Sequence, residues 1–284
     1  MKVSGFTFIR NAILYDYPIV EAITSILPIC DEFIVAIGHS DDQTTALINS
    51  INSPKIKIIP TVWDDTLRAG GRVLAVETDK AFAAIASDSD WCFYIQGDEC
   101  VHEKYLPIIK EAMELNLLDK RVEGLLLNYL HFYGSYDFIG TARKWYRNEI
   151  RIIRNNKNIS SFRDAQGFRI DNRKLNVKKI AAAVYHYGWV KHPEKQQAKA
   201  ETFNKLWHSD QWVEKNIPKV SGFDYSNVDG LKRFTESHPA VMKNRIAAIN
   251  WEFTVDPTIK KMKLKHQLAG YIENLTGWRI GEYK

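Results

Sequence analysis

The sequence predicts a Rossmann-like α/β layer, because strand-like and helix-like stretches alternate through the first hundred residues and polar turns follow the strand-like ones. Val3 to Phe8 reads as a strand. Tyr17 to Ile26 reads as a helix, since Ile19, Val20, Ile23 and Ile26 recur at helical spacing. Glu32 to Ile37 is a short run rich in β-branched residues, closed by the turn-forming Gly38-His39-Ser40-Asp41-Asp42 and followed by a helix from Thr44. Lys55 to Ile59 alternates as a third strand. Beyond the loop around Trp63-Asp64-Asp65, Val73 to Ile85 carries a helical pattern, and Trp91 to Ile95 forms a fourth strand ending in Gln96-Gly97-Asp98-Glu99. Strands joined through helices in this way pair in parallel.

The second half is less regular. Gly124 to Tyr129 reads as a strand leading into an aromatic stretch with His131, Phe132, Tyr133, Tyr136, Trp145 and Tyr146. Glu149 to Arg154 is a further strand, an irregular region holds Asp164, and Ala181 to Tyr187 is a late strand carrying His186. Pro193 to Trp207 turns helical, with Lys195, Lys199 and Lys205 read as a solvated face.

With 284 residues, 45% of them hydrophobic and 26% charged, the chain is long enough for a sizeable core, in one large domain or one domain with an appendage. It has no internal repeat or low-complexity run. No segment approaches the roughly eighteen continuous apolar residues of a membrane span, and Met1-Lys2-Val3-Ser4-Gly5 lacks a signal-peptide pattern, so a cytoplasmic protein is expected. Cys30, Cys92 and Cys100 share no metal-like spacing and read as reduced thiols. The net charge of +5 sits in the tail: Leu231 to Lys284 has ten basic against five acidic residues, and the remainder is balanced at twenty-nine of each. A neutral body without a recognition motif argues against nucleic acid. Lys260, Lys261, Lys263, Lys265 and His266, preceding Leu268, Tyr271, Ile272 and Leu275, fit either a solvated helix face or peripheral contact with an anionic membrane.

In open α/β sheets ligands bind beyond the carboxyl ends of the strands. The turns there hold Arg10-Asn11, Ser40-Asp41-Asp42 and Asp98-Glu99. There is no Gly-x-Gly-x-x-Gly after the first strand, no phosphate-binding Walker loop, no His-Glu-x-x-His and no Gly-x-Ser-x-Gly elbow, which leaves dehydrogenase, P-loop, zincin and hydrolase readings without support. The strongest positive signal is the apolar strand that delivers Asp98 and Glu99 to the ligand edge. Adjacent carboxylates suit Mg²⁺ or Mn²⁺, whose other positions are filled by phosphate oxygens and water. They equally suit the start of the helix from about His102, and spacing alone does not separate the two.

Three segments in order, Gly5-Phe6-Thr7-Phe8-Ile9-Arg10-Asn11, Cys30 to Val35 with Ser40-Asp41-Asp42-Gln43-Thr44, and Asp90 to Glu99, resemble family 2 glycosyltransferases. His186-Tyr187-Gly188-Trp189-Val190 is similar to the late histidine segment of many such enzymes and extends the likeness to about residue 190. The resemblance implies a GT-A fold, with a mixed, mostly parallel central sheet flanked by helices. Residues 1–225 would form the transferase domain, 1–100 its nucleotide-sugar half and 101–225 its acceptor half, followed by a basic helical extension over 226–284.

It also implies roles. Phe8, Arg10, Asp42, Arg72, Gln96, Gly97 and Asp98 would contact the nucleotide or its phosphates, and Asp98 with His186 would hold a Mn²⁺ or Mg²⁺ ion bridging them. Gln96 stands where the family's first acid would be. Asp164 would be the base that takes the proton of an attacking hydroxyl, with Asp137 in reserve, although Asp164 also fits an ion pair with Arg163 or Arg169. The function implied is inverting, metal-assisted transfer of a sugar from a nucleotide-diphosphate sugar to a saccharide or lipid-linked acceptor, in cell-envelope polysaccharide or glycolipid synthesis, at the inner face of the membrane. The aromatic stretch and Trp189 fit an acceptor platform or plain core. The competing classes are a nucleotidyltransferase of related fold, for which Arg10-Asn11-Ala12 offers no glycine-rich loop, and a nucleotide-sugar-binding protein that has lost catalysis.

Overall fold

The computed structural model describes residues 1–226, 228, 230–255, 273 and 279. Its first half holds β1 (Val3–Ile9), α1 (Ile19–Ile26), β2 (Glu32–Gly38), α2 (Thr44–Asn49), β3 (Ile56–Thr61), α3 (Arg72–Ala83) and β4 (Trp91–Tyr94). The strands lie in the order β3-β2-β1-β4, all parallel, with Phe6 facing both Ile34 and Tyr94 across the ladders. Alternation along β2 explains why the layer is covered on both sides. Phe33, Val35 and Ile37 pack with Ile19, Ile23 and Ile26 of α1, whereas Ile34 and Ala36 pack with Val73, Ala81 and Phe82 of α3.

The remaining described elements are β5 (Glu99–Val101), α4 (Leu106–Leu115), β6 (Gly124–Tyr133), β7 (Ser135–Gly140), β8 (Asn148–Arg154), β9 (Ile159–Phe162), β10 (Gly167–Ile170), β11 (Arg173–Lys174), β12 (Val177–Trp189), α5 (Pro193–Lys205), α6 (Asp210–Asn216), β13 (Leu231–Arg233) and α7 (Lys243–Ala247). Antiparallel β8 extends the parallel half beyond β4, and β6, β7 and β13 follow. Long β12 runs parallel to β6 and also takes β5 antiparallel. β9, β10 and β11 form a small separate antiparallel sheet. The expected mixed α/β sheet flanked by helices is the one that forms.

Two departures from expectation have physical reasons. The strand expected over Gly124 to Tyr129 continues to Tyr133 because its far end has partners in β7 and β12, so His131 lies in the sheet. Within 226–284, where helix was expected, Leu231–Arg233 is a strand that pairs with the edge of β7. The cluster from Lys260 to Leu275 lies outside the described residues. All three cysteines are buried and unpaired, and burial pushes the Cys30 and Cys92 thiols up to about 12. No described helix is long and apolar enough to cross a membrane.

Candidate functional site

A cleft of about 510 Å³ opens beyond the carboxyl ends of β1 and β4, with α5 as its opposite wall. That volume lies within the range of small-molecule and cofactor sites. The sheet places Asp98 there. β4 ends at Tyr94, the chain turns through Gln96 and Gly97, and β5 then pairs with β12 so that Glu99 lies opposite His186. Tyr187 N donates to Asp98 O at 2.7 Å, which fixes the turn to β12. Gln96 Nε2 donates to Ala165 O at 3.2 Å and ties it to the loop carrying Asp164.

The two adjacent acids part company. Glu99 is fully buried and faces away from the cleft, where Arg151 Nε and Nη2 reach its carboxylate at 2.8 and 2.7 Å and the Tyr129 hydroxyl donates to it. Asp98 faces the cleft and receives Lys199 Nζ of α5 at 3.0 Å, with His186 Nε2 at 3.6 Å from its other oxygen. Burial resists ionisation of Asp98, but Lys199, His186 and Lys191 together outweigh it and hold the carboxyl well below the usual range. His186 is pushed down by burial, against the pull of Asp98 and Glu99. Behind it, His131 Nδ1 lies 3.3 Å from His186 Nδ1 and is driven down to about 2 by burial and by His186. Gly188 permits this crowding, since a Cβ there would stand 2.6 Å from His186 Nε2 and 2.7 Å from Asp98 Oδ2.

Lys199 was expected on a solvated face; instead its side chain is only 13% exposed and turns into the cleft. Its ammonium also donates to Gly188 O at 3.2 Å and lies 4.8 Å from the centre of the Tyr17 ring. Burial works against its charge, but Tyr17 and Asp98 prevail, and its pKa is raised. Nearby Lys191 is wholly buried, donates to Asp16 O and lies 4.7 Å from the same ring, and burial pushes it down to about 7. The one sequence mark of that face is Phe203, four residues beyond Lys199, which packs on the core.

The other side of the cleft is a wall of Phe8, Arg10 and Trp63. The Phe8 and Trp63 rings are 5.7 Å apart, and the Arg10 guanidinium lies 5.6 Å from the Trp63 ring. Arg10 pairs with Asp65 at 3.2 Å, while its Nε and the Trp63 Nε1 are buried and have no hydrogen-bond partner among the described residues. Sequence reasoning passed over Trp63 because it sits in a loop with no periodicity.

Of the residues expected at the site, Phe8, Arg10, Gln96, Gly97, Asp98, Asp164 and His186 line this cleft. Asp42 and Arg72 do not. Asp42 ties the turns after β1 and β2 together, accepting from Ile13 N and Leu14 N at 2.9 and 2.7 Å and from Thr44 N at 3.0 Å. Neighbouring Asp41 lines the cleft and is held by Asn11. Arg72 is exposed at the start of α3, after two glycines with positive φ that redirect the chain. Burial raises the pKa of Asp164, against the pull of Arg163 and Arg151. Asp137 is exposed, bonded to Ser135, and outside the cleft. Most of the aromatic stretch is core, but Tyr146 and Trp189 reach the cleft.

The divalent ion expected at Asp98 and His186 does not fit this arrangement. Mg²⁺ and Mn²⁺ favour oxygen-rich shells, and of the two adjacent acids only Asp98 lines the cleft. Glu99 is committed to Arg151, and the carboxylate of Asp98 is shared between Lys199 and His186. Two unit charges ~4 Å apart near a protein surface interact by about 4 kcal/mol, so a divalent ion beside the ammonium would meet about twice that repulsion.

No protein-family model matches the chain, and none of the curated proteins matches it. Among solved structures, the chain is similar to S. aureus TarS at 15% identity and a TM-score of 0.42, over 71% of this chain and 39% of that one. A shorter S. aureus TarS in complex with UDP is 14% identical with a TM-score of 0.43, over 78% and 68% of the two chains. Glucosyl-3-phosphoglycerate synthase from Mycobacterium tuberculosis, in complex with Mn²⁺, UDP and phosphoglyceric acid, is 18% identical with a TM-score of 0.32, over 46% and 43%. This chain therefore spans well under half the length of the first and third of these.

Proposed function

We propose that the cleft binds a nucleoside-diphosphate sugar and transfers its sugar to a hydroxyl acceptor with inversion at the anomeric carbon. One observation carries the reading: the turns after β1 and β4 meet α5 in a single cleft with an aromatic wall and a fixed ammonium. Trp63 and Phe8 offer flat apolar surface to a base, and Lys199 and Arg10 offer positive charge to the diphosphate.

In this reading the acceptor oxygen attacks the anomeric carbon while Asp164 takes its proton. The bond from that carbon to the phosphate oxygen breaks, and the diphosphate leaves with the electron pair. The raised pKa of Asp164 suits a base that must hold the proton it receives. Charge developing on the leaving oxygen is met by cationic groups already in place. Tyr146 and Trp189 would present ring faces to an acceptor sugar. We read that acceptor, following the sequence resemblance, as a cell-envelope saccharide or glycolipid. The basic residues from Lys260 to His266 would bring the protein to the inner membrane surface.

Isothermal titration with UDP, GDP, CDP and dTDP tests the donor reading. One of them is expected to bind, and failure of all four sinks the proposal. Asp164→Asn is expected to keep that affinity and lose at least ~100-fold in turnover, the low end of what a positioned base contributes; full turnover would remove Asp164 from the role.

A further inference from the structure

We propose that Lys199 itself, in place of a divalent metal ion, is the cation that Asp98 holds against the donor diphosphate. The inference rests on reading the cleft as a nucleoside-diphosphate-sugar site and names what neutralises the phosphates there.

The ammonium is built in. Asp98 Oδ2 accepts from it at 3.0 Å, Gly188 O at 3.2 Å, and the Tyr17 ring faces it at 4.8 Å. Its helix is laced to the loop after β1: Tyr15 Oη donates to Thr202 Oγ1 at 2.9 Å, and Lys195 Nζ donates to Leu14 O at 3.2 Å. Lys191 pins the same loop through Asp16 O. The position of Lys199 is thus set by elements on both sides of the cleft.

Charge placement points the same way. The Asp98 carboxylate is already paired with the Lys199 ammonium, and the wholly buried Lys191 lies against the same Tyr17 ring, so two lysines stand beside one cleft-facing carboxylate at this turn and the surroundings favour an added anion over an added cation. Gln96, at the position where the resemblance leads one to expect a second acid, is directed to the Ala165 carbonyl. An ammonium fixed by a carboxylate, a carbonyl and a ring face can give a charge-assisted hydrogen bond to a phosphate oxygen with little reorganisation. A carboxylate that would otherwise repel the diphosphate thereby becomes the mount for the group that attracts it.

The test uses the full chain and whichever of UDP, GDP, CDP or dTDP binds, together with its parent nucleoside, each titrated in excess EDTA and again in MnCl₂. We expect the diphosphate to bind equally in both conditions, within about twofold. Lys199→Gln is expected to weaken the diphosphate by about 10- to 100-fold, as loss of one charge-assisted hydrogen bond implies, and to leave the nucleoside unchanged. Lys199→Arg should retain most of the diphosphate affinity. Binding that EDTA abolishes and Mn²⁺ restores overturns the inference, as does a Lys199→Gln variant that binds diphosphate like the parent or weakens both ligands alike. If Lys199→Gln does not fold, the EDTA comparison and Lys199→Arg decide. Absence of binding by every nucleoside diphosphate in both conditions is the separate failure of the donor reading.

Discussion

Replacing Glu99 by Gln separates the two roles that adjacent acids after a strand can play. In the structure Glu99 and Arg151 have no exposed side-chain surface, and two hydrogen bonds of 2.7 and 2.8 Å join them. Tyr129 donates to the same carboxylate. Gln preserves the volume and one acceptor oxygen but leaves the guanidinium without a counter-charge. Breaking a buried pair from one side costs about 3–5 kcal/mol. For a chain of this size, each kcal/mol moves the melting temperature by roughly 2–4 °C, so a fall of about 6–20 °C is expected. Thermal and urea denaturation measure it directly. Removing both charges, as Glu99→Leu with Arg151→Met, should recover part of the loss, because no lone charge then remains buried. A Glu99→Gln variant that melts within about 2 °C of the parent would refute the anchoring role. Loss of Mn²⁺ binding at unchanged stability would instead restore Glu99 as a metal ligand.

Other expectations follow from the same surroundings. Burial lifts Glu149 to about 8 from an ordinary 4.5, so its carboxyl keeps its proton in the folded state while the unfolded chain releases it. Its stabilising contribution is complete below the unfolded value and is lost as pH rises toward 8, by up to about 4 kcal/mol. Glu149→Gln should therefore match the parent at pH 4 and exceed it increasingly up to pH 8 in urea melts; parallel pH profiles would contradict this. Gly188→Ala would force apart His186 and Asp98, at a cost of about 1–3 kcal/mol for overpacking, and should weaken nucleoside-diphosphate binding at least tenfold. Unchanged affinity would show that their close approach does not matter to the ligand.

How much was legible follows from the range of each signal. The parallel half was readable because its strands and helices bury faces that local periodicity marks, as in Phe33, Val35 and Ile37 against Ile34 and Ala36. The Asp98 turn was readable because it follows an apolar run. The partition of Asp98 from Glu99 was not, since it depends on Arg151, fifty-two residues away in sequence. Lys199 was hidden because α5 buries Gln196 and Gln197, so its inward face lacks an apolar stripe. The resemblance placed Arg72 near the nucleotide, but after the positive φ of Gly70 and Gly71 α3 starts with that side chain in solvent.

The central claim is that the cleft between the β1 and β4 turns and α5 takes a nucleoside diphosphate. A crystal structure grown with the nucleoside diphosphate selected by titration, in EDTA, tests it most directly. The expected result places the base against the Phe8 and Trp63 wall and a phosphate oxygen within hydrogen-bond reach of Lys199 Nζ. Nucleotide density elsewhere on the molecule would contradict it, whereas phosphates in the cleft joined to Asp98 through a metal ion once Mn²⁺ is added would uphold it and overturn the role given to Lys199.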